Sequence, residues 1–130
     1  MAQRTVLLVD GDVDTRAIFR AILLHYGYRV IEAEDGEAGL RLARSARPDV
    51  VILEFPVLLP DGAILTEVIR SDPAMAAIRL LTITTRAFST ELERARIAGS
   101  DACLAKPVRP QRVVEEVERL VGSNVEALQQ

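Results

Sequence analysis

Five short apolar runs punctuate the chain, and longer segments of helical period separate them. The runs are Val6-Leu7-Leu8-Val9, Tyr28 to Ile31, Val50-Val51-Ile52-Leu53, Leu80 to Ile83, and a brief Cys103-Leu104. Unbroken Val/Ile/Leu runs suit strands buried on both faces, as in a parallel sheet covered by helices, whereas a strand with one wet face would alternate. Between the runs, Phe19, Ile22, Leu23 and Tyr26 recur at helical spacing and form one apolar stripe. Leu65, Val68 and Ile69 do the same on a shorter segment, and Val113, Val117, Leu120 and Val121 mark the last. Glu37–Ala46 and Thr90–Ala98 are Ala-rich and weakly patterned, and are predicted as helices by their place between runs. Turn formers agree: Asp35-Gly36, Pro48-Asp49, Pro60-Asp61-Gly62, Asp72-Pro73, Gly99 and Lys106-Pro107 all fall at the joints. The expectation is an α/β chain of five strand–helix units, folded as a doubly wound parallel sheet. A barrel would need eight units and ~250 residues.

The 130 residues fit one domain, expected over residues 1–122, with 123–130 as a C-terminal tail or the start of a linker. Nearly half the chain is apolar (49%) while only 4% is aromatic, so the core must be built from aliphatic side chains. The net charge of -3 and the scatter of the 16 basic residues argue against nucleic-acid binding by this domain. Cys103 is the sole cysteine, which excludes an intrachain disulfide, and a single histidine beside it leaves no ordinary zinc site. No apolar run approaches the ~20 residues of a membrane span. Met1 to Thr5 leads into only four apolar residues, which is not a signal peptide. A cytoplasmic setting is the expectation.

In open α/β sheets, ligands bind beyond the carboxyl ends of the strands. Asp10-Gly11-Asp12 follows the first strand, Glu54 closes the third, Thr84 closes the fourth with Thr85 beside it, and Lys106-Pro107 follows the fifth. Carboxylates, a hydroxyl and an ammonium gathered at one edge can handle a phosphoryl group with a divalent cation. Plainer roles exist for each. Asp12 or Asp14 suits a helix cap, Asp10 a turn, Thr84 a strand and Lys106 the surface. Glu54 ends an apolar run and is costly to leave unpaired, so an ion pair with Lys106 is expected on either account. His25 is expected at the solvent-facing end of the first helix, Cys103 as a small buried hydrophobe, and Glu115-Glu116 with Glu118 as a solvated helix face. A nucleotide-binding enzyme on the same fold is a poorer fit. Asp10-Gly11-Asp12 has one glycine and two negative charges, the wrong sign for cradling phosphate, and no nucleophile–base pair is evident.

Taken together, these pieces resemble a known family. Val6-Leu7-Leu8-Val9-Asp10, Arg16, and Ala33-Glu34-Asp35-Gly36-Glu37-Ala38 look like the opening half of a response-regulator receiver of the CheY-like kind. Pro48 to Glu54, Pro60-Asp61-Gly62, Ile69-Arg70, Ile83-Thr84-Thr85, Ala98-Gly99-Ser100-Asp101 and Leu104-Ala105-Lys106-Pro107 complete the likeness, from Arg4 to about Val121. The resemblance implies a flavodoxin-like five-stranded parallel sheet of order 2-1-3-4-5 with five helices. It implies an aspartate closing the third strand that accepts a phosphoryl group from a histidine kinase, and an acidic pair after the first strand that binds magnesium. It also implies a Thr or Ser and a Lys that bind phosphoryl oxygens, and an aromatic switch residue on the fifth strand. Asp10, Thr84 and Lys106 match their positions.

Three positions depart: the acceptor is Glu54, the second acidic residue is Gly11, and the switch aromatic is Cys103. Glu54 reaches roughly 1.5 Å further than Asp, one bond length, into space meant for the phosphoryl group. Gly11 removes a hard oxygen ligand, leaving Asp10 and Glu54 to bind magnesium weakly or not at all. The expectation is a pseudo-receiver, with Glu54 engaging Lys106 and Thr84 in place of a phosphoryl oxygen. The alternative is a working receiver that uses Glu54 or another carboxylate such as Asp10 or Asp12. Implied partners are proteins: a histidine kinase, an output domain or a downstream regulator. A homodimer through the fourth helix, fifth strand and fifth helix is a further possibility, since Arg94, Arg96, Arg109, Arg112, Glu115 and Glu118 give that face mixed charge.

Overall fold

A computed structural model describes residues 3–85 and 89–122 of the chain. Strands and helices alternate as β1 (Thr5–Val9), α1 (Val13–His25), β2 (Arg29–Ala33), α2 (Gly36–Ala46), β3 (Val50–Glu54), α3 (Leu65–Ser71), β4 (Arg79–Thr84), α4 (Ser89–Ile97), β5 (Ala102–Ala105) and α5 (Pro110–Val121). A single 3-10 turn, Pro73–Met75, separates α3 from β4. The expected tail at 123–130 lies outside the described residues.

All four strand pairings are parallel, and the order across the sheet is β2-β1-β3-β4-β5. Strand periodicity then sorts the aliphatic runs between two layers. Val6 and Leu8 of β1, Val50 and Ile52 of β3, and Leu81 and Ile83 of β4 pack with Phe19 and Leu23 of α1 and Val113, Val114 and Val117 of α5. Their neighbours Leu7, Val9, Val51, Leu53 and Leu80 pack on the other face with Ala43 of α2 and Leu65 and Ile69 of α3. Both faces are covered, which explains why these strands read as continuous apolar runs. Each fully buried Val, Leu or Ile contributes about 1.5–3 kcal/mol.

The edge strands shift from their expected spans. Tyr28 is buried but precedes β2, which runs on through Glu32 to Ala33. Glu32 remains in the strand because Arg16 and Arg20 of α1 hold its carboxylate at 3.2 and 2.9 Å. α2 lacks a bulky apolar stripe because its buried face is Gly36, Gly39 and Ala43. A Cβ on Gly39 would stand only 3.0 Å from the Val9 side chain, so the helix lies too close to β1 for large residues.

One sequence expectation is overturned. Glu116 is not on a solvated face but only 5% exposed. On the helical wheel it flanks the α5 stripe beside Leu120 and Val113. Arg112 from one turn before and Arg119 from one turn after close over its carboxylate, with the Arg112 bond at 2.7 Å. The Arg119 guanidinium, and then Arg112, hold the Glu116 carboxyl below its ordinary range. Glu115 is exposed, as expected. His25 is exposed in the last turn of α1, its ring edge-on to Tyr26 at 5.3 Å.

Candidate functional site

The carboxyl ends of the strands open into a cleft of about 480 Å³. β1 delivers Asp10, whose backbone N–H still pairs with the Ala33 carbonyl of β2 at 3.1 Å. The Asp10 carboxylate accepts the Asp12 N–H at 2.8 Å, which turns the chain into α1. Asp12 caps that helix: one of its oxygens accepts the Asp14 N–H at 3.2 Å and the other the Thr15 hydroxyl at 2.6 Å. The Thr15 hydroxyl, and then the Asp14 N–H, hold the Asp12 carboxyl below its ordinary range. Of the two capping candidates, Asp12 therefore serves. Arg16, with a side chain only 14% exposed, donates to the Asp10 carbonyl and to Glu32, tying the ends of β1 and β2 to α1.

Glu54 is the last residue of β3, in register with Ile83 of β4. Lys106 follows β5, and its N–H pairs with the Thr84 carbonyl at 2.8 Å, extending the ladder by one step. That step carries the Lys106 ammonium to 3.6 Å from the Glu54 carboxylate, both side chains about a third exposed. The ion pair expected from sequence is present, but it is longer than a hydrogen bond.

The cleft brings together Asp10, Gly11 and Glu54. Thr84 instead is buried at 2% exposure, and Thr85 takes a place in the lining. Lys106 lines a neighbouring groove against Thr15, Ile18 and Phe19 of α1, so it meets Glu54 from the flank. Four further lining residues, Glu34, Asp35, Glu91 and Arg94, were not expected from sequence. Glu34 and Asp35 follow β2, so the strand-end rule applied to that strand finds them. Glu91 and Arg94 reach across from α4, paired with each other at 3.3 Å, and carry no local signal. Among the described lining residues, five carboxylates stand against one guanidinium.

Gly11 contributes no side-chain oxygen. A Cβ placed there would meet only the Glu34 carbonyl oxygen, at 3.6 Å, so the position has room for a larger residue. Among the described residues no group of three or more His, Cys, Asp or Glu is placed to hold a metal ion. Cys103 on β5 is half-buried, its thiol 3.9 Å from the Leu92 carbonyl, and burial pushes the thiol pKa up. It packs beside Phe55, Ala95, Ala98 and Ile64, so the aromatic bulk in that cluster comes from the loop after β3 rather than from β5.

Residues 6–118 match the response regulator receiver domain family. The chain belongs to that family. Among curated relatives of this receiver, the polar-differentiation response regulator DivK of Brucella anthropi is 26% identical over 92% of the chain and 97% of its own length. Among solved structures, a response regulator protein from Burkholderia multivorans is 34% identical, covers 92% of this chain and 95% of its own, and superposes with a TM-score of 0.75. The receiver domain of sensor histidine kinase PA1611 from Pseudomonas aeruginosa, whose structure has magnesium coordinated in the active-site cleft, is 27% identical. It covers 94% of this receiver and 100% of its own chain, with a TM-score of 0.81. The chain is thus a receiver-type signalling module of two-component systems, a class that interacts with histidine kinases and with output or partner proteins. Among the described residues no helix is long and apolar enough to cross a membrane.

Proposed function

We propose that this receiver signals without aspartyl phosphorylation, as a protein-interaction module of a two-component pathway. The observation that carries this reading is Glu54 closing β3 with Lys106 at 3.6 Å. The family's acceptor is an aspartate, and the extra methylene of Glu54 places its carboxylate where a phosphoryl group would enter. In-line transfer requires sub-ångström positioning, so the rate falls by orders of magnitude. The magnesium that the family implies does not fit the residues present. Gly11 offers no ligand, both Asp12 oxygens serve the α1 cap, and Glu54 faces an ammonium, whereas magnesium needs a near-octahedral oxygen shell.

Glu54 instead supplies a fixed negative charge to Lys106. A pair about a third exposed at this distance is worth about 0.5–1 kcal/mol, which biases a two-state receiver about 2- to 5-fold toward an active-like form. This is weaker than a charge-assisted hydrogen bond would give. Partners in this reading are a histidine kinase, an output domain or a downstream regulator. The surface of α4, β5 and α5 is the candidate for self-association.

The test is incubation with magnesium and acetyl phosphate followed by intact mass. The native chain is expected to gain no phosphoryl group. Glu54→Asp combined with Gly11→Asp is expected to gain one, since the open space at Gly11 accepts the new carboxylate. Phosphorylation of the native chain sinks the proposal in favour of a working receiver that uses Glu54, Asp10 or Asp12, and the modified residue then has to be mapped.

A further inference from the structure

A third apolar cluster stands apart from the two layers that flank the sheet. It consists of Phe55, Ala95 and Ala98, with Ile64 and Cys103 packed against it. Ala95 lies on α4 and Ala98 just past its end, one turn apart on the same side. Among the described residues of α4 Ala95 alone is buried, while Leu92 is half-buried and Ile97 exposed. Where α1 and α5 drive Phe19, Leu23, Val113 and Val117 into the core, α4 presents methyl groups. A methyl group has no rotamers to choose between, so the seat of α4 takes its shape from the side chain opposite. That side chain is Phe55, the aromatic member of the cluster.

Phe55 also lines the cleft beside Glu54, and among the described residues it alone belongs to both the cleft lining and the α4 cluster. Glu54 is the last rung of β3, paired with Ile83, and Phe55 is the first residue beyond it. Alternation along β3 sends Val50 and Ile52 toward α1 and α5, and Val51 and Leu53 toward α2 and α3. Continued onward, it sends Glu54 to the side where Lys106 borders α1, and Phe55 to the opposite side, where it meets α4. A twist of the backbone that moves the Glu54 carboxylate relative to Lys106 therefore moves the ring against Ala95 and Ala98. Close packing passes such a displacement on. Charge offers α4 a second route to the cleft, because Glu91 and Arg94 line it, paired at 3.3 Å. Arg94 is 63% exposed, so solvent screens its field, whereas Phe55 is only 6% exposed.

We propose that Phe55 couples the cleft to α4: the ring turns a change at the Glu54–Lys106 pair into a change in how α4 sits, and so in the surface formed by α4, β5 and α5. This rests on the reading of the chain as an interaction module, and it names how the cleft regulates that module. The two fail separately, because the phosphodonor assay reads phosphoryl acceptance whereas the coupling is read with no phosphodonor present.

The perturbation is Glu54→Gln, which removes the charge and keeps the shape, and the readout is the amide chemical shifts of the full chain. With Phe55 in place, changes are expected at Lys106 and across the α4 amides Glu91–Ile97. With Phe55→Leu or Phe55→Met, the change at Lys106 is expected to persist while the α4 changes shrink about fivefold or more. Phe55→Met keeps most of the side-chain volume, so the test does not depend on the folding of the smaller leucine variant. Phe55→Tyr keeps the ring and is expected to retain the α4 response. The proposal is overturned by α4 amides that ignore Glu54→Gln in the native background, or by an α4 response that survives loss of the ring. A tyrosine variant that responds no more than the leucine one overturns it too. So does a response that Arg94→Gln abolishes and Phe55→Leu spares, which assigns the coupling to charge.

Discussion

Shortening Glu54 to aspartate draws its carboxylate back by about 1.5 Å, which turns the 3.6 Å separation from Lys106 into about 5 Å. At the native distance the Coulomb attraction is about 1 kcal/mol in a water-like dielectric and about 4–5 kcal/mol at an effective dielectric of ~20. The side chains are 35% and 28% exposed, so solvent screens the pair, and ordering the lysine stem costs entropy. The net value expected is about 0.5–1 kcal/mol. Glu54→Asp should therefore lose that much stability while it moves the site toward phosphoryl acceptance. A double-mutant cycle with Glu54→Gln and Lys106→Met isolates the pair from the other consequences of each change. Urea unfolding at low salt should give a coupling of about 0.5–1 kcal/mol, falling by at least half at ~1 M salt, where the Debye length is about 3 Å. A coupling indistinguishable from zero at low salt, or one that salt leaves untouched, would refute the reasoning. Lys106 would then not be held by Glu54, and the bias toward an active-like form would lose its basis.

Two further predictions concern the frame around the site. Glu116 has a depressed folded-state pKa, so its stabilisation is complete above its ordinary value of 4.5 and is lost as pH falls through the lower folded value. Glu116→Gln should cost about 1–2 kcal/mol at neutral pH, a gap that closes in acid; unfolding curves across pH check it, and a gap that widens in acid counts against the clamp. Gly36→Ala would set a Cβ 2.6 Å from the Leu58 carbonyl oxygen, a backbone atom that cannot rotate away. It should destabilise by about 1–3 kcal/mol, whereas Gly11→Ala, with nothing nearer than 3.6 Å, should stay within about 1 kcal/mol of the native chain. Equal melting temperatures for the two variants would show that the loop after β3 yields.

The three interior strands were legible because both their faces are buried, which leaves Val, Ile and Leu unbroken in β1 and β3 and interrupted by Thr82 alone between Leu80 and Ile83 of β4. The edge strands were less so. β2 admits Glu32 because two arginines of α1 neutralise it, a partnership that spans 16 and 12 residues and leaves no local mark. α2 was weak in pattern for the opposite reason, since close approach to β1 replaces an aliphatic stripe with Gly36, Gly39 and Ala43. Glu116 was misjudged because a lone acid among Glu115 and Glu118 looks solvated, and only the paired arginines one turn away reveal otherwise. At the site, strand ends pointed to Asp10, Glu54, Thr84 and Lys106. They did not separate Thr84, which is buried, from Thr85, which lines the cleft.

The geometry of β3 bears on whether its last residue is a tolerated accident of the fold. β3 pairs with β1 on one side and β4 on the other, and its residues alternate between two filled aliphatic layers. A slip of one residue would send Val50 and Ile52 into the layer now holding Val51 and Leu53, so the register cannot adjust to a longer side chain at the end. Glu54 must project its carboxylate from a fixed Cα, and the extra methylene translates directly into reach. Glu54 and Gly11 stand at the lining of the cleft, outside the apolar clusters. A strand end that carries a carboxylate 3.6 Å from Lys106 contributes a charge interaction at the cleft rather than apolar packing. The receiver fold and the phosphoryl chemistry are therefore separable in this chain: the aliphatic layers preserve the first whatever becomes of the second.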